Sequence, residues 1–343
     1  MMNRLIRLSP LALLTLSACA VPVPEKSSRF SWASTRALIA FGDSYTYVQG
    51  TRGYANSTFI GSQLDLSYTP QELLTDLIVQ NQTATAEGGP NWVEYLTGCG
   101  LKPGYTSPLK CEPQLWDFAF GGADISVDFT PLHHNWTISL ENQVTQFIGY
   151  GNLVLEKFLD KKKTLVAIWI GINDISDSAK YVVNFPTFYN TLQDRLFSLV
   201  SSLYALGYLN FLFFNLPPLN RRPGLVNSAN PLPNATMINW WNDALANHSS
   251  LFAQQNPDTN VMLFDTHAVL SGILDESAKY GFVNTTDYCA AYNQPDILTD
   301  PEKYGCLPQD EYFWFNSGHM TSHVHQILAG ALEEFLQKES RGK

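Results

Sequence analysis

Residues 37–46 read ALIAFGDSYT. The first five residues are continuously apolar, which is the pattern of a strand buried on both faces of a parallel sheet. Gly42, Asp43 and Ser44 follow at once, so a serine hydroxyl stands on the loop that leaves the carboxyl end of this strand. In open parallel sheets that edge carries the ligand crevice. The stretch therefore predicts a central strand with a site beside it.

The rest of the chain alternates between short apolar runs and helical patterns. Four more runs predict buried strands, at residues 116–120, 165–170, 210–215 and 261–264. Apolar residues recur at spacings of three and four in four longer segments, at residues 138–159, 188–206, 237–255 and 321–337. This alternation predicts an α/β fold: a three-layer α/β/α sandwich around a mostly parallel five-stranded sheet, of the flavodoxin-like kind. With no internal repeat or low-complexity tract, residues 21–343 are expected to form a single domain with long loops.

The overall composition narrows the class of protein. Of the 343 residues, 45% are hydrophobic and 15% are charged, which is typical of a globular chain with a large core. The 21 Lys and Arg against 31 Asp and Glu give a net charge of −10. Because nucleic-acid binding needs a basic face for the phosphates, no nucleic-acid partner is expected.

The N-terminus carries a targeting pattern. Arg4 and Arg7 precede a short apolar run, and Ala18-Cys19-Ala20 supplies the small-x-small pattern of a signal-peptidase site. Residues 1–20 are therefore predicted to be a signal peptide, and the mature protein to be secreted and extracellular. The run is too short for a transmembrane anchor, so no stable membrane insertion is expected. Residues 16–19, Leu-Ser-Ala-Cys, also resemble a bacterial lipobox, which would instead make Cys19 a lipidated N-terminus.

The remaining four cysteines suit a secreted chain. Of three possible pairings, Cys99 with Cys111 and Cys289 with Cys306 are favoured, because both pairs lie in Gly-, Pro- and Asn-rich stretches typical of loops. A zinc site is the alternative, but no Cys-x-x-Cys or Cys/His cluster is present, so no metal is predicted. Glycosylation is expected at six N-x-[ST] sequons, at Asn56, Asn81, Asn135, Asn234, Asn247 and Asn284. Cysteines and sequons together favour a eukaryotic secretory route over lipidation.

Further polar groups follow two other predicted strands and precede the last helix. Residues 121–123 are Gly-Gly-Ala, residues 171–174 are Gly-Ile-Asn-Asp, and residues 314–319 are Trp-Phe-Asn-Ser-Gly-His. Each motif alone has a structural explanation: Ser44 as a helix cap, the glycines as a tight turn, the asparagine as a turn residue. Together they supply a nucleophile, oxyanion donors and a base on four loops, which is the set that acyl transfer requires.

These four blocks, in this order, resemble the SGNH or GDSL hydrolases over residues 36–338. The resemblance implies Ser44 as nucleophile and His319 as general base. It also implies an oxyanion hole made by the backbone N–H groups of Ser44 and Gly122 and the side chain of Asn173. No metal or organic cofactor is implied.

Four further blocks are similar to a narrower branch, the fungal acetylesterases of carbohydrate esterase family 16. They are residues 89–92 (GPNW), 169–174 (WIGIND), 214–218 (FNLPP) and 280–282 (YGF). This similarity implies a carboxylic ester hydrolase for small-molecule or carbohydrate esters, with acetyl as the acyl group. The chain is expected to act as a monomer. The alternatives are a lipase or lysophospholipase on the same scaffold, and a non-catalytic glycan-binding relative.

Two positions depart from the family pattern. Asn316 stands where most members carry Asp, three residues before the histidine, and Met320 stands where Pro usually follows it. Asn cannot carry the negative charge of a triad carboxylate. The acceptor for the Nδ1–H of His319 is then the Asn316 side-chain oxygen, its backbone carbonyl, or a nearby acid, Asp310 or Glu311. We expect a backbone carbonyl, which the substitution Asn316→Ala would leave intact.

Overall fold

The computed structural model describes residues 29–60 and 68–341; the predicted signal peptide lies outside the described residues. Eight strands occur in this part of the chain: β1 (Ala37–Gly42), β2 (Gln49–Gly50), β3 (Ile78–Gln80), β4 (Gly104–Thr106), β5 (Gln114–Asp117), β6 (Thr164–Trp169), β7 (Asn210–Phe214) and β8 (Asn260–Phe264). Five of them form the central sheet in the order β5-β1-β6-β7-β8, and every pair is parallel.

The strand order reverses direction beside β1. From β1 the chain crosses to β5 on one side, and it then returns to β6 on the other side. When the five strands of this sheet are numbered by their order in the chain, their spatial order is 2-1-3-4-5, as in doubly wound sheets. Such sheets bind their ligands at the carboxyl ends of the strands, at the point where the winding reverses. Ser44 follows β1 and Asn173 follows β6, so both lie at that point.

Nine α-helices are found within the described ranges: α1 (Pro70–Thr75), α2 (Trp92–Thr97), α3 (Leu140–Gln146), α4 (Asn152–Leu155), α5 (Ile172–Asp177), α6 (Phe185–Ala205), α7 (Ala235–Gln255), α8 (Thr266–Asp275) and α9 (Ser322–Arg341). The two longest begin at asparagine caps. The side chain of Asn184 accepts the N–H of Thr187, and that of Asn234 accepts the N–H of Met237, so each satisfies a helix-end donor.

Helices cover both faces of the central sheet. Phe41 of β1 packs edge-on against Phe147, which follows α3. On β6, Ile168 is the register partner of Phe41, so the next residue, Trp169, points to the opposite face. There it packs against Trp92 of α2. The three-layer α/β/α sandwich predicted from the sequence is thereby confirmed.

Two predicted elements differ from the structure. The strand expected at residues 116–120 is Gln114–Asp117, although pairing continues irregularly beyond its end, where Phe118 donates its N–H to the carbonyl of Ala40. The helix expected at residues 138–159 is broken by a π-helical turn, Phe147–Gly151. A Cβ atom at Gly151 would lie 2.6 Å from the ring of Phe118. The glycine therefore allows this ring to pack directly against the helix backbone at the π-helical turn.

A second, antiparallel sheet of three short strands, β2-β3-β4, lies outside the central sheet. This sheet is not predicted from the sequence. The chain also folds into the short helices α5 and α8 directly after β6 and β8, and these too are absent from the sequence prediction.

The disulfides join the pairs favoured from the sequence. Cys99 and Cys111 have Cα atoms 5.4 Å apart, and those of Cys289 and Cys306 are 5.6 Å apart. The asparagines of four sequons are exposed and those of the other two are half-buried; the exposed ones are Asn56, Asn81, Asn135 and Asn247, and the half-buried ones are Asn234 and Asn284. None of the helices in the described ranges combines the length and apolarity that a bilayer crossing requires.

Candidate active site

The end of β1 is held firmly in place ahead of Ser44. The side-chain amide of Gln143 on α3 donates to the carbonyl of Gly42 at 2.8 Å and accepts the Gly42 N–H at 3.1 Å. A side chain at position 42 would lie 2.3 Å from the carbonyl oxygen of Trp169, so only glycine fits between β1 and β6. The loop that carries Ser44 thus leaves the sheet from a fixed point.

His319 reaches the same point from a tight turn just before α9. Trp314 and Met320 form an antiparallel bridge, and the N–H of Phe315 donates to the carbonyl of His319 at 2.8 Å. The hydroxyl of Tyr45 donates to the carbonyl of Gly318 at 2.7 Å and ties the turn to the serine loop. The result is a distance of 2.7 Å between His319 Nε2 and Ser44 Oγ.

The side chain of Asn316 closes this turn and contacts the imidazole. Its Oδ1 atom accepts the backbone N–H of Gly318 and that of His319, both at 2.9 Å, and lies 3.0 Å from Nδ1 of His319. Nδ1 therefore carries the proton, and Nε2 is free to accept one from Ser44. The expectation that a backbone carbonyl orients the ring is wrong, because the Asn316 side chain occupies that position.

The two nearby acids, Asp310 and Glu311, contact neighbouring segments through their backbone carbonyls and not through their carboxylates. The backbone carbonyl of Asp310 accepts a hydrogen bond from Nδ1 of His323 at 2.7 Å. Glu311 offers its carbonyl to the backbone N–H groups of Val283 and Asn284. Neither carboxylate pairs with His319 in the described part of the chain.

Three N–H groups face the region beside Ser44. Within residues 29–60 and 68–341, the backbone N–H groups of Ser44 and Gly122 have no protein acceptor. Gly122 has a φ of +80°, a left-handed conformation that favours glycine. Asn173 gives one amide hydrogen to the carbonyl of Ala123 at 2.9 Å and has a second to offer.

These groups line one open cleft of about 500 Å³ at the carboxyl edge of the sheet. Its other walls come from Tyr47, from His134 and Trp136 on the loop after β5, and from Arg222 on the loop after β7. The volume suits a small organic ligand or one to two sugar units. Arg222 is a cleft residue that is not identified from the sequence. The sequence shows it only as one of two consecutive arginines shortly after a strand end.

The site keeps its histidine neutral. Burial lowers the pKa of His319 to about 4, and the positive charge of Arg222 acts in the same direction. Burial raises the pKa of Asp43, next to the serine, to about 7, although a hydrogen bond from the backbone of Tyr45 opposes the rise. Near neutral pH the imidazole is thus available as a base.

Two other histidines, His133 and His325, lie near the site and have partners of their own. His133 lies against Gly122 and pairs with Asp177 of α5 at 2.6 Å, which ties the loop after β5 to the helix that carries Asn173. Asp124, His133 and Asp177 each place a ligand atom within 4.8 Å of the others, so this group has the composition to hold a metal ion. His133 and Asp177 pair with each other without an ion. His325 is buried and accepts the N–H of Trp92.

This fold and this set of side chains are those of an α/β ester hydrolase. Residues 38–332 match the family model described as GDSL-like Lipase/Acylhydrolase, and the chain belongs to that family.

The chain is 26% identical over 344 residues to the acetylesterase of Thermothelomyces thermophilus, and the alignment covers 97% of this chain and 98% of the relative. It is 22% identical to the acetylesterase of Hypocrea jecorina, with 87% of each chain covered. A solved acetylxylan esterase from Geobacillus stearothermophilus, Axe2, is 13% identical, with a TM-score of 0.41 over 89% of this chain and 95% of that one. The chain is a carboxylic ester hydrolase.

Proposed function

We propose that the protein is a secreted serine esterase that removes short acyl groups, chiefly acetyl groups carried by carbohydrate, through a covalent acyl-enzyme. The observation that supports this most directly is the 2.7 Å contact between Ser44 Oγ and His319 Nε2 inside the cleft. A hydroxyl in hydrogen-bond reach of a neutral imidazole is the arrangement that nucleophilic catalysis requires.

The reaction runs in two halves. His319 Nε2 takes the proton of Ser44 as Oγ attacks the ester carbonyl, and the same nitrogen then returns the proton to the departing alcohol as the carbon–oxygen ester bond breaks. His319 next takes a proton from water as the water oxygen attacks the acyl-serine. The bond between the acyl carbon and Oγ then breaks, the carboxylic acid leaves, and Nε2 returns the proton to Oγ of Ser44. In both halves the N–H groups of Ser44, Gly122 and Asn173 donate to the oxyanion, and one such donor is typically worth about 10²- to 10³-fold in rate.

The acetyl assignment rests on the relatives. Two proteins named acetylesterase align with 97% and 87% of this chain. The mixed polar and aromatic walls of the cleft suit a sugar better than a long acyl chain, since Tyr47, Trp136 and Ser57 all border it. No cofactor enters the proposed reaction.

Secretion is supported by the two disulfides and by the exposure of four sequon asparagines. Secreted protein from a eukaryotic host is expected to lose mass on treatment with an N-glycosidase. A chain recovered with residues 1–20 still attached, and without glycan, would contradict this part of the proposal.

The experiment that tests the function is a chain-length series of p-nitrophenyl esters, from acetate through butyrate to octanoate, on the wild type and on Ser44→Ala. We expect turnover to be highest on acetate and to fall steeply by octanoate. Ser44→Ala should lose at least about 10³-fold, because the covalent route is gone. Equal or faster turnover of octanoate would identify a lipase, and no turnover of any ester would identify a glycan-binding relative.

A further inference from the structure

Arg222 reaches the cleft from the fourth strand of the sheet. The chain leaves β7 at Phe214 and makes a 3₁₀ turn, Leu219–Arg221. Two backbone bonds then fix the position of Arg222: its N–H donates to the carbonyl of Leu219 at 3.2 Å, and its carbonyl accepts the N–H of Leu225 at 3.0 Å. The side chain is half-buried and lines the cleft that contains Ser44 and His319.

The guanidinium of Arg222 has no counter-ion. Across residues 29–60 and 68–341 it makes no hydrogen bond or ion pair with the protein. The neighbouring Arg221 shows the ordinary situation, since it donates to Asp275 at 2.7 Å. Leaving a guanidinium unpaired in a partly desolvated position is costly, and the pKa of Arg222 is accordingly lowered by burial.

Two buried acids near Tyr45 form no ion pair with this guanidinium in the described part of the chain. Asp43 and Glu87 both lie near Tyr45, but burial raises the pKa of Asp43 to about 7 and holds that of Glu87 well above its usual range. Among the described residues that border the cleft, Arg222 is the single Lys or Arg.

We propose that Arg222 binds a carboxylate on the alcohol part of the substrate, so that the enzyme prefers acetyl esters of acidic sugars, such as acetylated uronic acid units, over neutral ones. This inference rests on the proposed function and adds to it the charge class of the substrate. Guanidinium presents paired N–H donors that match the two oxygens of a carboxylate. A protein of net charge −10 otherwise repels such substrates, which makes one unpaired cation in its cleft selective.

Binding of the carboxylate also favours the chemical step. Arg222 disfavours the protonated form of His319, which is the form that builds up as Ser44 attacks. A carboxylate seated on Arg222 cancels that effect. The preference for acidic substrates should therefore appear in kcat as well as in KM.

The test compares two substrates that differ only in charge: the same monoacetate on a methyl glucuronide and on a methyl glucoside. Acetate release is measured for the wild type, for Arg222→Gln and for the matched control Arg221→Gln. We expect the wild type and the control to favour the acidic ester by at least about tenfold in kcat/KM, equal to about 1.4 kcal/mol. Arg222→Gln should lose that preference, and Arg222→Lys should keep part of it.

The outcomes separate the two proposals. If both esters are hydrolysed equally well by the wild type, the carboxylate site is refuted and the esterase function stands. If neither is hydrolysed, the esterase function itself fails. Faster release of acyl chains from phosphatidylglycerol vesicles than of acetate from the glucuronide would assign Arg222 to a lipid phosphate and overturn the proposal. The comparison of the two esters on the wild type can refute the carboxylate site by itself. The proposal therefore remains testable even if Arg222→Gln folds poorly.

Discussion

Oδ1 of Asn316 lies 3.0 Å from Nδ1 of His319 and also accepts the backbone N–H of the same residue at 2.9 Å. One neutral oxygen thus fixes both the turn and the imidazole tautomer. It does so without the negative charge that a triad carboxylate would place beside the ring. The lowered pKa of His319 agrees with this, since burial and the positive charge of Arg222 both disfavour the protonated ring.

Asn316→Ala should reduce kcat/KM on p-nitrophenyl acetate by about 10²-fold. The acceptor for the Nδ1–H is lost, and loss of the correct tautomer is what makes such changes damaging in serine hydrolases, where an Asp-to-Asn change costs about 10⁴-fold in the chymotrypsin case. The measurement is steady-state kinetics, with the melting temperature as control for folding. A loss under about tenfold would restore the backbone carbonyl as the orienting group.

Asn316→Asp should shift the pH dependence instead. A carboxylate within hydrogen-bond distance of His319 favours the imidazolium, and opposite charges at this range raise a histidine pKa by about one unit or more. The acid limb of the kcat/KM profile should move upward by that amount, while activity at pH 7 is retained. An unmoved acid limb would show that position 316 does not face the ring in solution.

For the wild type, the acid limb of kcat/KM should lie near pH 4. Burial and Arg222 lower the pKa of His319 to about 4, so the base stays neutral, and active, down to that pH. Protonation below it removes the acceptor for the Ser44 proton. A pH profile on an uncharged ester measures this, and Arg222→Gln should move the limb upward whereas Arg221→Gln should not. A wild-type limb at about 6.5, the ordinary histidine value, would contradict the burial of the ring.

The sequence predicts the parts of this molecule that local patterns encode. Continuous apolar runs identify the five central strands, and because parallel strands end at one edge, they also bring the loops of Ser44 and Asn173 together. It does not predict the π-helical turn Phe147–Gly151, where the glycine leaves room for the distant ring of Phe118. Arg222 is missed for the same reason. Whether an arginine after a strand end finds a counter-ion depends on the other segments that border the cleft, and no local sequence pattern records them.

Removing the disulfide between Cys289 and Cys306, by changing both to Ser, should lower stability by about 3 kcal/mol, the chain-entropy value for a loop of this size. The two cysteines are 17 residues apart and belong to the long segment before the His319 turn. Thermal unfolding measures the loss. Peptide mapping of the untreated protein checks the pairing, and a peptide linking Cys99 to Cys289 would refute it.

Stability should fall as pH rises from about 6.5 to 8. Burial raises the folded-state pKa of Glu94 to about 8 and that of Asp43 to about 7, whereas the unfolded chain has values near about 4. At pH values between the unfolded-state and folded-state pKa of each group, the folded protein holds a proton that the unfolded chain has lost. The stability that these groups contribute is complete at low pH and is lost as pH rises through their folded pKa values.

The histidines oppose this effect only at the lower end of the range. Burial lowers the pKa of His319 to about 4, whereas the unfolded chain has a value near about 6.5, so its opposing slope fades as the pH rises above about 7. Melting temperatures should therefore fall most clearly between about pH 7 and 8. Glu94→Gln should flatten that decline, because it removes the proton that the folded state retains. The matched control Glu334→Gln, at an exposed position on α9, should leave the slope unchanged. A melting temperature that rises over this range would show that the buried carboxyls ionise freely in the folded protein.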